Sequence, residues 1–65
     1  MNSDTKEHAD FQLLTIKEVA DRLAVSVRTV RRLIDDGELP PHRMGRMVRV
    51  SVDDLKRYVR GLREI

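Results

Sequence analysis

The chain has 65 residues, a formal net charge of +2 and no cysteine. A chain this short forms one small domain that buries about 60% of its unfolded surface, which leaves no room for a deep substrate cavity beside the core. Without cysteine it has neither disulfides nor a thiolate metal site, and His8 and His42 are too far apart to hold a metal. Since there is also no Ser/His/Asp set and no glycine-rich phosphate loop, we expect no metal, no cofactor, no small-molecule substrate and no enzymatic activity.

The first residues of the chain are polar and charged. Residues 1–12 hold three acids and one lysine without a hydrophobic period, which predicts a flexible N-terminal tail before a single domain over residues 13–65. The N-terminus lacks the apolar region of a signal peptide, and no apolar run approaches the ~20 residues of a membrane span. We therefore expect a soluble cytoplasmic protein without a membrane partner.

The first predicted helix starts at Thr15. Thr15 and Glu18 have the S/T-x-x-E spacing of a capping box, in which each side chain accepts a hydrogen bond from the other residue's backbone N–H. One apolar stripe follows at about 100° per residue, formed by Ile16, Val19, Ala20 and Leu23. The pattern predicts a short amphipathic helix.

A three-residue turn over residues 24–26 joins this helix to a second one. Ser26 is a favourable N-cap residue, and Gly37 can end the helix in the left-handed conformation. The predicted buried face consists of Val27, Val30, Leu33 and Ile34. The opposite face carries Arg28, Arg31, Arg32 and Asp35. We expect this arginine stripe to be exposed, either as a binding surface or as a solvated face whose ion-pair partners are Asp35 and Asp36.

A small β-hairpin is predicted next, because the prolines at positions 40 and 41 cannot continue the helix. The alternation over residues 48–50 is typical of a half-buried strand. Gly45 suits the first position of a two-residue type II′ turn, which places Arg46 at the tip of the hairpin. We expect the two flanking methionines, Met44 and Met47, to pack the hairpin onto the helices.

The last predicted helix begins after Ser51, with Asp54 completing a second capping box. Its apolar face consists of Val52, Leu55, Tyr58, Val59 and Leu62. Three arginines lie largely outside that face: Arg57, Arg60 and Arg63. The predicted fold class is therefore α+β and mainly α, with three short helices and a two-stranded β-hairpin between the second and the third.

Residues 14–58 resemble the excisionase-type helix-turn-helix family, within the wider MerR-like winged-helix group. The resemblance rests on Leu14–Ala20, Val25–Arg32, Gly37–Pro40, Gly45–Arg46, Val48–Val50 and Asp53–Leu55. It implies a small winged helix-turn-helix domain in which the hairpin is the wing. It also implies the role of a recombination directionality factor of a phage or prophage.

Members of that family bind several adjacent sites on double-stranded DNA beside an attachment site, bend the DNA and direct an integrase toward excision. We therefore expect DNA and an integrase as partners, head-to-tail self-association on DNA, and a location on the nucleoid of a bacterial host. A MerR-type regulator adds a coiled coil and an effector domain, for which 65 residues leave no room. Two alternatives remain open: a small MerR-like transcriptional regulator with the same DNA-binding surface, and a protein-interaction module that does not bind DNA.

The resemblance also assigns roles to residues of the second helix, which enters the major groove in this family. Arg28 and Arg32, one turn apart, are implied as the base contacts. A bidentate arginine–guanine pair contributes about 1–3 kcal/mol of discrimination. Phosphate contacts are implied for Ser26, Thr29 and Arg31, with Ser26 also capping the helix.

Three arginines of the hairpin receive the remaining roles. Arg46 is expected to enter the adjacent minor groove, because a narrow groove concentrates negative potential. Arg43 and Arg49 are expected to contact the DNA backbone or to stack against the domain. For Arg49 the alternation with valine leaves a third possibility, projection into water.

Overall fold

The structure, a computed structural model, describes residues 12–63. Six elements follow one another: β1 (Leu13–Thr15), α1 (Ile16–Leu23), α2 (Val27–Asp35), β2 (His42–Met44), β3 (Met47–Ser51) and α3 (Val52–Arg63). They confirm the predicted α+β fold, with three short helices and a hairpin, the wing β2–β3, between α2 and α3. Except for Gln12, the predicted tail lies outside the described residues, as do residues 64 and 65 of the predicted domain.

The sheet has three strands, one more than the predicted hairpin. β3 lies in the centre, with β1 and β2 antiparallel on its two sides. Leu14 of β1 pairs with Val50, and Arg43 of β2 pairs with Val48. Three residues are too few to show the two-residue period of a strand, so only the pairing with distant β3 defines β1. This pairing ties the start of the domain to the wing.

The core is formed by eight buried apolar side chains from the helices, the sheet and the loop after α2. They are Leu14, Val19, Ala20, Val30, Ile34, Leu39, Val50 and Leu55. The predicted burial of Val27 is wrong, because this first residue of α2 lies one turn ahead of Val30 and remains 38% exposed. Val30 and Ile34 are the only buried residues of α2, and its other side chains are half-buried or exposed.

The helix ends follow the predicted caps. Thr15 Oγ1 accepts a hydrogen bond from the Glu18 N–H at 3.0 Å, and Glu18 Oε1 accepts one from the Thr15 N–H at 2.8 Å, which confirms the capping box. Gly37 follows α2 with φ 83°, the left-handed conformation that was predicted. α1 is followed by its C-cap Ala24, whose φ of 59° is unusual for a residue with a side chain and costs on the order of 1 kcal/mol.

The start of α3 departs from the prediction in one bond. Ser51 Oγ accepts a hydrogen bond from the Asp54 N–H at 3.0 Å, as predicted. Among the described residues the reciprocal bond of the second capping box is not formed. The Asp54 carboxylate lies instead 3.7 Å from His42 Nε2 and 3.8 Å from Arg57 Nη1, so it faces the wing and its own helix.

The second half of α3 extends past the core. Leu55 is buried and Tyr58 is half-buried, but two residues of the predicted apolar face, Val59 and Leu62, are exposed. The predicted face is therefore covered only along the first half of the helix. No helix within residues 12–63 is long and apolar enough to cross a membrane.

Candidate nucleic-acid interface

The arginine stripe of α2 is exposed. Arg28, Arg31 and Arg32 are all exposed, whereas Val30 and Ile34 of the same helix are buried. In the described part of the chain, ion pairs form only between Lys17 and Asp21, His42 and Asp54, and Arg57 and Asp54. The three guanidinium groups therefore have no carboxylate partner there, and the alternative of a solvated face paired with Asp35 and Asp36 does not form.

The three arginines of α2 point in two directions. At 3.6 residues per turn, Arg28 and Arg32 lie about 40° apart around the helix, whereas Arg31 lies about 100° from Arg32. Arg31 lines a cleft of about 350 Å³ between α2 and the wing, together with Ile16, Arg46, Met47, Val48 and Arg49. Arg28 and Arg32 thus form one exposed pair, and Arg31 joins the wing.

Arg43 lies on the helix-facing side of the wing. It pairs with Val48 across the hairpin, and directly paired residues of antiparallel strands share a face. Val48 alternates with the buried Val50 in the same way, which places all three on the inner face. Arg43 accordingly lines a small cavity next to Arg31 and Asp35 of α2. Helix and wing bring two arginines together that are 12 positions apart in the sequence.

Arg49 is held along the wing. Its Nη1 donates a hydrogen bond to the Val48 carbonyl oxygen at 3.0 Å, and its Nη2 lies 3.5 Å from Met47 Sδ. The side chain is half-buried in the central strand, where Thr15 and His42 pair with Arg49 from the two sides. Projection into water, one of the three predicted options, is therefore not what the structure shows.

The wing turn carries Arg46 at its tip, as predicted. Gly45 has φ 62°, while Ala24 is the one non-glycine residue with positive φ in the described segment, so Arg46 has negative φ. This combination is that of a type II′ turn. The predicted packing of Met44 and Met47 onto the helices is wrong, because they form the last pair before the turn, beyond the reach of the core, and Met47 is 49% exposed.

The N-terminus of α2 offers further donors. Ser26 Oγ accepts a hydrogen bond from the Thr29 N–H at 3.1 Å, which confirms the predicted cap, and it lies 3.0 Å from Thr29 Oγ1. One of the two hydroxyl protons forms that second bond, and the other is left for a ligand. In residues 12–63 the N–H groups of Val27 and Arg28 have no acceptor. Such free amides at the positive end of a helix suit a phosphate oxygen.

A positively charged surface with these properties can bind a polyanion. No group of His, Asp and Glu able to hold a metal occurs among residues 12–63. We call the set of six arginines on α2 and the hairpin the α2–wing surface: Arg28, Arg31, Arg32, Arg43, Arg46 and Arg49. Ile16 was predicted to lie in the apolar stripe of the first helix and not in the binding surface. It lines the cleft because α1 contacts the wing, which the sequence alone did not show.

Comparison with protein families identifies the family to which the chain belongs. A family model described as a helix-turn-helix domain matches residues 13–63. The chain belongs to this helix-turn-helix domain family. In a helix-turn-helix domain α1 and α2 are the paired helices, residues 24–26 are the turn, and α2 is the recognition helix. The match confirms the predicted helix-turn-helix domain and supports the prediction of DNA binding.

Known relatives place this helix-turn-helix domain in proteins of different length. The excisionase of Mycobacterium phage D29 is 44% identical over 52 residues, which make up 78% of this chain and 93% of the excisionase. The uncharacterised protein YvgK of Bacillus subtilis is 51% identical over 49 residues, 75% of this chain but 16% of YvgK. Rv0500A of Mycobacterium tuberculosis, named as a candidate DNA-binding protein, is 52% identical over 44 residues, 68% of this chain and 56% of Rv0500A.

The chain thus spans a small part of YvgK and about half of Rv0500A, but nearly the whole phage excisionase. This coverage confirms the predicted resemblance to excisionase-type helix-turn-helix proteins. The narrower assignment to the MerR-like group stays a prediction.

Proposed function

We propose that this helix-turn-helix protein is an excisionase that binds double-stranded DNA through the α2–wing surface. The observation that carries the proposal is the exposure of five arginines, none with a carboxylate partner in the described structure: Arg28, Arg31, Arg32, Arg43 and Arg46. The similarity to a phage excisionase along nearly its whole length supports the choice of activity.

In the proposed complex α2 lies in the major groove. Arg28 and Arg32, which point the same way, contact base edges, where arginine can form two hydrogen bonds to one guanine. Arg31 lies toward the wing and contacts the phosphates that separate the two grooves. The N-terminus of α2 contributes Ser26 and Thr29, whose hydroxyls together retain one free proton for a phosphate oxygen.

The wing lies over the adjacent minor groove in this arrangement. Arg46 projects from the tip of the turn into the groove, where a narrow width attracts guanidinium groups. Arg43 and Arg49 follow the DNA backbone. The Arg49 hydrogen bond to the Val48 carbonyl fixes the guanidinium along the strand, so that less rotamer entropy is lost when it meets a phosphate.

One copy of the protein covers a short stretch of DNA. A single module of this size buries roughly 600–1,000 Å² of protein surface on DNA, which gives salt-sensitive affinity. We therefore propose that several copies bind side by side at an attachment-site arm, joined head to tail in an open array. Bending 20–30 bp by 40–90° costs on the order of 1–6 kcal/mol, which cooperative contacts offset. The bent arm then presents an integrase with DNA in the geometry of excision, on the nucleoid of the bacterial host.

Footprinting on the DNA that flanks the gene for this protein tests the proposal, followed by an excision reaction with the purified integrase. The proposal expects protected repeats at a regular spacing and excision that depends on the protein. Matched reactions use the double variant Arg28→Ala/Arg32→Ala, which should lose both activities while keeping the circular dichroism spectrum of the wild type. Random protection by the wild type, or full excision by the double variant, contradicts the proposal.

A second candidate is a small transcriptional regulator with the same DNA-binding surface. Its support is that relatives such as Rv0500A carry a similar domain within a longer chain. The excision reaction separates the two candidates, because a regulator protects a promoter but leaves excision unchanged. Fluorescence anisotropy tests the remaining alternative, a protein-interaction module that does not bind DNA. Such a module would bind no duplex DNA at either low or high salt.

A further inference from the structure

A groove between α1 and α3 shares no residue with the α2–wing surface. Leu23 of α1 and Leu55 and Val59 of α3 form its apolar floor. Val59 lies in the part of α3 that extends past the core and remains exposed. A binding partner that covers this apolar surface removes it from water, and this burial stabilises the complex. We call this feature the α1–α3 groove.

The rim of the α1–α3 groove is entirely cationic. Four basic side chains line it, and no acid does: Arg22, Lys56, Arg60 and Arg63. All four are exposed, and within the described range none has a carboxylate within 4.0 Å. An occupant that matches this groove therefore combines an apolar anchor with several carboxylates.

The described chain begins beside this groove. The Gln12 carbonyl oxygen accepts a hydrogen bond at 3.1 Å from the N–H of Val52, a lining residue. β1 runs antiparallel to β3, and β3 leads directly into α3, so Gln12 lies at the start of α3. Eleven residues reach up to about 36 Å, and the 12-residue α3 is about 18 Å long. The preceding residues can therefore span the whole groove.

We propose that the α1–α3 groove binds residues 1–11 of the same chain. This segment contains Asp4, Glu7 and Asp10 against one lysine, and it ends in Phe11, next to the anchored Gln12. Phe11 lies on the apolar floor, and the three acids face the cationic rim. Tethering to Gln12 gives the segment an effective concentration on the order of millimolar, which compensates for weak individual contacts. In the bound state the basic side of α3 is covered, and the α2–wing surface is the cationic face offered to DNA.

Nuclear Overhauser spectroscopy on the wild-type chain without DNA tests the contact directly. The proposal expects cross-peaks between the Phe11 ring and the methyl groups of Leu55 and Val59, unchanged in relative intensity on tenfold dilution. Their absence overturns the proposal. Cross-peaks that fade on dilution assign the segment to the groove of a second copy and overturn the intramolecular assignment. Because no DNA is present, neither result depends on the proposed excisionase function.

Charge reversal gives an independent test. The variant Asp4→Lys/Glu7→Lys/Asp10→Lys should lower the melting temperature at low salt by about 4–8 °C, the shift expected when a small domain loses a few exposed ion pairs and an apolar contact. Adding Lys56→Glu/Arg60→Glu/Arg63→Glu to the same chain should restore most of the loss, because each pair is re-formed with opposite signs.

A matched control keeps the total charge equal but places the reversals outside the groove. The segment variant combined with Arg28→Glu/Arg43→Glu/Arg46→Glu, three exposed positions without an ion-pair partner in the described structure, should stay destabilised. Equal recovery in both combined variants shows that only net charge matters and overturns the proposal. If circular dichroism shows that the groove variants do not fold, the Phe11 cross-peaks of the wild-type protein alone decide whether the segment binds the groove.

Discussion

The salt dependence of DNA binding by Arg31→Ala tests the position of Arg31 between α2 and the wing. For duplex DNA the logarithm of the binding constant falls with the logarithm of salt by about 0.9 per neutralised phosphate. With the three phosphates that Arg31, Arg43 and Arg49 contact, the slope is about −2.7, so that affinity falls about 40-fold between 50 and 200 mM salt. Removing the Arg31 contact should reduce the slope to about −1.8, because one phosphate is no longer neutralised.

Fluorescence anisotropy with one labelled duplex at five or more salt concentrations measures both slopes. Arg57→Ala is the matched control, because it removes the same charge from an exposed side chain on α3, away from the α2–wing surface. We expect the Arg57→Ala slope to equal the wild-type slope. A wild-type slope for Arg31→Ala together with a reduced slope for Arg57→Ala would show that DNA binds on the α3 side rather than at the α2–wing surface. That result would refute the reasoning.

Three further predictions concern the wing, the helix ends and the core. Arg46→Ala should reduce DNA bending in a circular-permutation assay more than it reduces sequence preference, and an unchanged bend would remove the wing tip from the mechanism. Ala24→Gly should raise the free energy of unfolding by about 0.5–1 kcal/mol because φ is positive there, whereas Gly37→Ala should lower it by about 1 kcal/mol; urea titrations check both signs. Leu39→Ala, at a fully buried position, should cost about 2–5 kcal/mol, and the exposed control Leu62→Ala less than about 0.5, so equal losses would contradict the assigned core.

The elements that could be predicted are those whose sequence carries two separate signals. α1 shows both a capping box at Thr15 and an apolar stripe, and α2 shows both the Ser26 cap and the Gly37 stop. The wing shows both the prolines at positions 40 and 41, which stop the preceding helix, and Gly45, which suits the type II′ turn. Each of these signals is local, because it acts over at most four neighbouring residues.

The features that were missed depend on contacts remote in sequence or on where an element ends. β1 exists because Leu13–Thr15 pairs with β3, and nothing within three residues shows this. Val27 has a suitable helical angle but lies before the first turn that reaches the core. Met44 and Met47 are exposed because the wing turn extends beyond the helices.

The candidate site also has one part that local sequence signals predict and another that depends on tertiary contacts. The stripe of Arg28, Arg31 and Arg32 follows from helical spacing alone, and the structure leaves it exposed and without carboxylate partners in the described region. The grouping of Arg31 with Arg43 follows only from the strand register and from the packing of the wing against α2. Spacing therefore predicts which side chains are exposed, whereas tertiary contacts decide which of them act together.

Methylation interference on the bound DNA is the most direct test of α2 as the major-groove reader. Methyl groups at guanine N7 block the bidentate contact that arginine makes there. The account predicts that methylation at particular guanines prevents binding of the wild-type protein. It further predicts that interference disappears at one guanine for Arg28→Ala and at a second, different guanine for Arg32→Ala. Interference patterns identical among the wild type and both variants would contradict the account.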